Sequence, residues 1–406
     1  MLSLLPAIGL VLPLVPGTPS EVRAVVAANN QLACNLYHQL KGQGGNLFFS
    51  PYSVHKTLAM AYAGARGDTA REMAAALHLT LDPDRQHRAF LETRQLLNRP
   101  HPGGTPAFVT PFRPSPDVQL FLSADLWGQR GAGFEERFRA LLKECYGAGL
   151  YEADFGTPER ARQAINARVA EQTHQQIREL FPADTINLNT RLVLASAIYF
   201  KGAWLHSFAK EQTRRAPFRS GAGGQILVPT MSQRERFEYF EDARLQGVRL
   251  PYAGKDLAML VLLPKSPDGL DDLEKGLTSD QLAAWVGRLH AQPVEVYLPR
   301  FELAGAFALD SALRALGMRK AFTPGEADFR SMDGGRESLH ISAVKHQGSV
   351  VVNEEGTEAA AATGVVMDSL SAPAAGTVFR ADHPFVFLIE DVQTGMILFL
   401  GRLVRP

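Results

Sequence analysis

Hydrophobic positions along the chain switch between a helical period and a strand period up to its last residues. Val22, Val25, Val26, Ala33, Leu36, Tyr37 and Leu40 share one side of a helix, and Thr18-Pro19-Ser20-Glu21 before them reads as a capping box with proline at the first helical position. Thr69 and Glu72 read as a second box, for a helix through Leu79, and Thr157-Pro158 predicts a long helix toward Phe181. Strand-like runs fall at 192–200, 258–263, 294–298, 350–352, 384–389 and 396–400. The last two are apolar on both faces and joined by 390–395 as a hairpin, which predicts central, buried strands. The stretch 99–116 is rich in Pro and Gly and reads as a surface loop. There is no sequence repeat, and no linker long enough to divide the chain.

Composition narrows the class. The 406 residues can bury a large core, and 46% apolar residues is ordinary for a globular protein. Lys+Arg and Asp+Glu are equal at 42 each, which predicts neither a nucleic-acid footprint nor a polybasic membrane surface. Cys34 and Cys145 have no CxxC partner, and Cys145 falls on the apolar stripe Phe134, Phe138, Leu141, Leu142, so both read as buried free thiols. The run 2–15 is apolar but broken by Pro6 and Pro13, with no preceding Lys or Arg. It is too short to span a bilayer and reads as a truncated or atypical secretion signal over 1–17, or else as a disordered tail. Export is the expectation, with the cytoplasm as the alternative.

Catalytic signatures are sparse. Ser53-Val54-His55-Lys56 matches S-x-x-K, in which a lysine can activate a serine one turn away, but the companion S-D-N and K-T-G elements are absent. A serine hydrolase is therefore a remote alternative to a capped helix start after Pro51. The 11 histidines are scattered without metal-ligand spacing, and no Walker loop, G-x-S-x-G or H-E-x-x-H occurs. No metal, no cofactor and no enzymatic activity are expected.

The stretch 351–364, VVNEEGTEAAAATG, is poor at every ordinary structure. Gly356 and Gly364 bracket its alanines against a helix, and alanine is a weak strand former. Parity gives it a purpose. As a strand from Thr357, one face would carry Thr357, Ala359, Ala361, Thr363, Val365 and Met367, small at first and apolar later. The other face would carry Glu358, Ala360, Ala362 and Asp368, and so both charges. Such a segment suits a chain that is first a loop and later a strand.

Asn353-Glu-Glu-Gly-Thr-Glu-Ala-Ala-Ala-Ala-Thr363 resembles the proximal hinge of the serpins, inhibitors of serine proteases. Asn46-Leu-Phe-Phe-Ser-Pro51, Ala197-Ile-Tyr-Phe-Lys-Gly-Ala-Trp204, Leu298-Pro-Arg-Phe301 and Asp382-His-Pro-Phe-Val-Phe387 are serpin-like too, in the family's order, so the resemblance covers roughly 18–406. It implies an α+β single domain of three β-sheets and eight or nine helices, with an exposed reactive loop at about 354–381. It implies a monomer that meets a target serine protease as a suicide substrate, with neither nucleic acid nor membrane as partner. The protease cleaves the loop and forms a covalent acyl-enzyme, and the loop then enters the main sheet. By the family's spacing from the hinge glycine the reactive bond is Leu370-Ser371, with Met367-Asp368 and Ser369-Leu370 as alternatives. Leucine there suits a chymotrypsin-like, elastase-like or subtilisin-like pocket. The hinge is Glu354, Glu355, Gly356, Thr357, Glu358, Ala359, Ala360, Ala361, Ala362 and Thr363. Ser50, Ser53 and His346 match the family's hydrogen-bonded cluster where the sheet opens, Ser196 stands at its usual asparagine, and Trp204 matches the tryptophan at the loop's entry point. The alternative within the family is a non-inhibitory carrier or chaperone. A heparin-type cofactor is not expected, because Arg85, Arg88, Arg94 and Arg99 are spread among acids and neutral residues.

Overall fold

Several helices begin where the sequence supplies a cap. Ser50 Oγ accepts from the Ser53 N–H at 3.1 Å, Asp82 from Arg85 at 3.1 Å and Thr278 from Gln281 at 3.1 Å. The computed structural model describes residues 19–98, 118–221, 224–357 and 376–406. The segment 1–17, Thr18, the stretch 99–116, hinge residues Glu358 to Thr363 and the bond Leu370-Ser371 lie outside the described residues.

The helices are α1 (Ser20–Leu40), α2 (Pro51–Tyr62), α3 (Gly67–Ala76), α4 (Pro83–Leu97), α5 (Glu136–Leu141), α6 (Pro158–Gln172), α7 (Leu270–Lys275), α8 (Ser279–Val286), α9 (Asp310–Ala315) and α10 (Arg330–Asp333). The strands are β1 (Leu47–Phe49), β2 (Val118–Gln129), β3 (Leu150–Ala153), β4 (Leu192–Ala203), β5 (Arg214–Arg219), β6 (Gln225–Glu241), β7 (Leu245–Pro251), β8 (Leu257–Pro264), β9 (His290–Pro299), β10 (Phe301–Ala308), β11 (Ile341–Val352), β12 (Gly356–Thr357), β13 (Thr377–Arg380), β14 (Phe385–Asp391) and β15 (Met396–Leu403). This is the expected mixture of helices and sheets. The count of ten helices among the described residues exceeds eight or nine through short pieces such as the four-residue α10.

Among the described residues the strands join into two hydrogen-bonded sheets where three were expected. One runs β1-β15-β14-β8-β7-β6-β9-β13 with β5 on β6, and the other β10-β11-β12-β4-β2-β3. Two expected sheets are continuous because β6 is 17 residues long, pairing with β5 and β9 over its length and with β7 at its end. β14 and β15 are buried at every position and sit inside the larger sheet, as their apolar runs predict.

The main core lies between the sheets and around α2, whose twelve residues are all buried. A second cluster, including Phe155, Ile165, Val169, Phe181, Val193 and Ala195, packs α6 and the chain after it against the six-stranded sheet. Cys34 and Cys145 are free and buried, and burial pushes the Cys34 thiol up to about 12.

Three local expectations change. The first helix starts at Ser20, with Pro19 in the cap position and no side-chain cap. Thr69 and Glu72 lie inside α3 instead of capping it: Thr69 Oγ1 accepts from the Asp328 N–H, and Glu72 accepts from the backbone of Arg319 and Lys320. α6 ends at Gln172, and His174 and Gln175 turn the chain with positive φ. The apolar positions reaching Phe181 reflect a returning loop, pinned by the Asn166 side chain to Leu180 and Phe181.

Candidate functional site

β4 and β11 are parallel neighbours from Ile341↔Leu192 to Ser349↔Tyr199, and beyond that they part. β12 fills the opening. Thr357 pairs with Val352 of β11 on one side and Gly202 of β4 on the other, while Gly356 pairs with Ala203. Gly356 and Thr357 therefore already lie inside the sheet. Glu354, Gly356 and Thr357 are buried, and residues 377–380 form β13.

Local chemistry sets this entry. Asn353 Oδ1 accepts from the Glu355 N–H at 3.0 Å and the Gly356 N–H at 3.2 Å, and the Asn353 N–H donates to Gly356 O at 2.8 Å, closing a tight turn. Gly356 has φ 151°, and a Cβ there would stand 2.1 Å from the Gly202 carbonyl oxygen, so the position admits only glycine. Thr357 is fully buried, and its Oγ1 lies 2.9 Å from the Tyr252 hydroxyl. Tyr252 stacks on Trp204 with ring centroids 4.6 Å apart. Trp204 donates from Nε1 to Asn353 O at 2.9 Å and from its backbone N–H to Glu355 O at 3.0 Å. Glu354, 2% exposed, accepts from Thr213 Oγ1 at 2.5 Å and Arg300 Nε at 2.7 Å. Burial alone would raise this carboxyl, but the bonds from Arg300 and Thr213 hold it below the usual carboxylate range. Glu355 pairs with Lys210.

Farther along the same seam lie Ser50, Ser53, Ser196 and His346, all fully buried. His346 and Ser196 are register partners on β11 and β4. The Ser50 N–H donates to His346 Nε2 at 2.9 Å, so the neutral ring holds its proton on Nδ1 and donates it to Ser196 Oγ at 2.8 Å. Ser196 Oγ is 2.7 Å from Ser53 Oγ, and Ser50 Oγ donates to Leu398 O at 2.6 Å. The short serine side chain bridges both neighbours directly.

Burial pulls His346 down to about 3, and His55, buried against Phe90, also to about 3. Both values lie below that of an unfolded histidine, roughly 6.5, so the unfolded chain binds more protons in between. Their contribution is complete above about pH 6.5 and is lost as pH falls toward 3. Urea unfolding is therefore expected to show stability falling by roughly 2 kcal/mol per histidine between pH 7 and 5. His346→Asn should flatten the slope by its share. Equal slopes in the two proteins would remove His346 from this account.

The S-x-x-K reading fails on access. Ser53 is fully buried with its hydroxyl on Ser196, and Lys56 is buried. Of the hinge positions picked from sequence, the structure brings Glu354, Glu355, Gly356 and Thr357 together with Trp204, while the serine–histidine cluster sits separately along the seam. Tyr252 and Thr213 escaped sequence reading, and Asn353 and Arg300 stood in the quoted motifs without a role. An Asn three residues before Gly356 is a turn signal that could have flagged Asn353; the other three reach the site from distant strands and loops with no local mark.

The family model described as Serpin (serine protease inhibitor) matches residues 27–406. A leukocyte elastase inhibitor of Equus caballus is 39% identical over 391 residues, covering 93% of this chain and 98% of its own. An uncharacterized serpin-like protein of Thermococcus kodakarensis is 38% identical over 390 residues, covering 95% of this chain and 87% of its own. The crystal structure of Serpin48, a highly specific serpin of the insect Tenebrio molitor, superposes with a TM-score of 0.83 at 30% identity over 96% of this chain and 100% of its own. The family model, the relatives and the architecture agree, and the chain belongs to the serpin family.

Proposed function

We propose that this protein inhibits a serine protease as a suicide substrate. The protease attacks the loop at Leu370-Ser371, forms an acyl-enzyme on the Leu370 side and releases Ser371 as a new amino terminus. The loop behind Thr357 then feeds between β4 and β11, drawing the protease with it. The observation that supports this reading is the hinge itself: Gly356 and Thr357 occupy the opening, and β4 and β11 below them are still paired with each other. Insertion must separate the eight β4–β11 register pairs, among them His346↔Ser196. The Ser50, Ser53, Ser196 and His346 cluster then acts as the latch of the seam, and Trp204 as the clamp at its mouth.

The family name describes inhibitors, and several relatives are leukocyte elastase inhibitors. The inserting face, as parity assigns it, is small or apolar, which favours inhibition over a carrier or chaperone role. Leu370 selects a chymotrypsin-like protease, or an elastase-like or subtilisin-like one. Export, with the cytoplasm as the alternative, belongs to the same reading, and sequencing the amino terminus of the mature protein separates the two. Among the described residues, no helix is long and apolar enough to cross a membrane.

Incubation with chymotrypsin is expected to yield a complex that survives denaturing electrophoresis and a released peptide beginning at Ser371. Leu370→Arg should move reactivity to trypsin, because the primary pocket of trypsin is built for a cation. A peptide beginning elsewhere would displace the reactive bond, and cleavage without any complex would exclude trapping.

A further inference from the structure

Away from the hinge, the end of β8 and the strand β13 wall an open cleft of about 280 Å³. Leu263, Pro264 and Val378 give it an apolar floor, and Lys265, Arg380 and the amide of Gln246 supply its donors. His383 completes the wall with both ring nitrogens engaged, Nδ1 by Asp382 and Nε2 by Pro264 O, each at 2.7 Å. Among the described residues the lining contains no carboxylate. Lys265 has one acid neighbour, Glu241 at 2.7 Å, and an ammonium has three donors. The Arg380 guanidinium lies 3.6 Å from the centre of the Tyr297 ring, and among the described residues it forms no ion pair. Arg380 also bonds to the Tyr297 side chain, and a guanidinium has five N–H donors, so the others remain for a planar or tetrahedral oxyanion. The two cations belong to different segments: Lys265 follows β8 in the body, and Arg380 ends β13.

We propose that this cleft binds a small phosphate-type dianion between Lys265 and Arg380. β13 is held in its sheet by four register pairs with β9, from Thr377↔Val294 to Arg380↔Tyr297. A dianion shared by Lys265 and Arg380 adds a second attachment, tying β13 to the end of β8. The proposal stands independently of protease inhibition.

The test is titration calorimetry on the intact, full-length protein, with inorganic phosphate, sulfate and glycerol phosphate as separate ligands at constant ionic strength. One saturable site is expected, together with a phosphate-dependent rise in the unfolding midpoint. Arg380→Gln and Lys265→Gln should each weaken binding by about tenfold or more, because each removes a charged donor. Both side chains are partly or wholly exposed, so the variants should fold, and circular dichroism checks this. Arg236→Gln, an exposed arginine outside the cleft, should bind like the parent. Tighter binding of glycerol phosphate than of phosphate would support the site and identify an organic phosphomonoester as its ligand; equal binding would support it and identify the free oxyanion. Absence of saturable binding in the parent would overturn the proposal. So would a midpoint rise of the same size in both cleft variants, which would mark a general salt effect.

Discussion

Cleavage within the loop should raise the unfolding midpoint of this protein by on the order of 10 °C or more. β4 and β11 are parallel partners, a slightly weaker pairing per residue than an antiparallel one. A strand continuing β12 between them would be antiparallel to both, as Thr357 already is to Val352 and Gly202. One parallel ladder is thereby replaced by two antiparallel ladders. The gain is about ten hydrogen bonds at roughly 1 kcal/mol net each, plus burial of the apolar half of the inserting face. With an unfolding entropy of roughly 2 cal/mol/K per residue, that sum corresponds to the stated shift. It also rivals the whole stability of an ordinary domain, so the intact form is held by a barrier and not by its depth. Scanning calorimetry of the intact and nicked chains measures the difference. A nicked form that melts with the intact one would mean that no strand is added.

The second large effect separates inhibitor from substrate. Thr357→Arg is expected to raise the moles of inhibitor consumed per mole of protease inactivated by more than tenfold. The position has no room for the change: Thr357 is fully buried, bonded to Tyr252 and flanked by strands on both sides. A guanidinium placed there without a partner costs several kcal/mol, which drives Gly356 and Thr357 out of the opening in the intact variant, so that insertion must then carry the charge into the sheet. Each 1.4 kcal/mol added to the insertion barrier slows it tenfold relative to hydrolysis of the acyl-enzyme. The bond at Leu370 would still be cut, and the protease would leave active. Glu358→Arg alters the opposite face by parity and should raise the stoichiometry far less. Thr357→Ser, which keeps the hydroxyl for Tyr252, should behave like the parent. Equal stoichiometries for the two arginine variants would refute the assignment of faces.

What could be read from the sequence follows the range of the interactions. β14 and β15 announce themselves because a strand buried on both faces must be apolar at every position. The inward face of Thr357 was legible from parity, a property of the local chain. Its state was not. Whether a hinge lies outside the sheet or two residues within it depends on how far β4 and β11 diverge after Tyr199 and Ser349, and those residues are about 150 apart in the chain. The same limit hid the pairing of Arg300 with Glu354 and of Tyr252 with Thr357. Thr69 and Glu72 misled for the opposite reason. They have the types and spacing of a capping box, but neighbouring segments supply better hydrogen-bond partners, and tertiary contact overrides the local signal.

The last strand also bears on how the chain is made. Among the described residues β1 pairs with β15 alone, Leu47 opposite Arg402, and Asn29 and Asn30 of α1 bond to Ile397 and Gly395. A chain still emerging from the ribosome therefore holds Phe48, with no Phe387 or Phe399 to stack on, until β14 and β15 have been made. The larger sheet can close only once β15 has been made and has left the ribosome, so until then the nascent protein carries exposed strand edges and aromatic surface. A premature stop just before Met396 would yield a product that lacks the partner of β1 and the anchor of α1, destined for chaperones or aggregates and not for a shortened inhibitor.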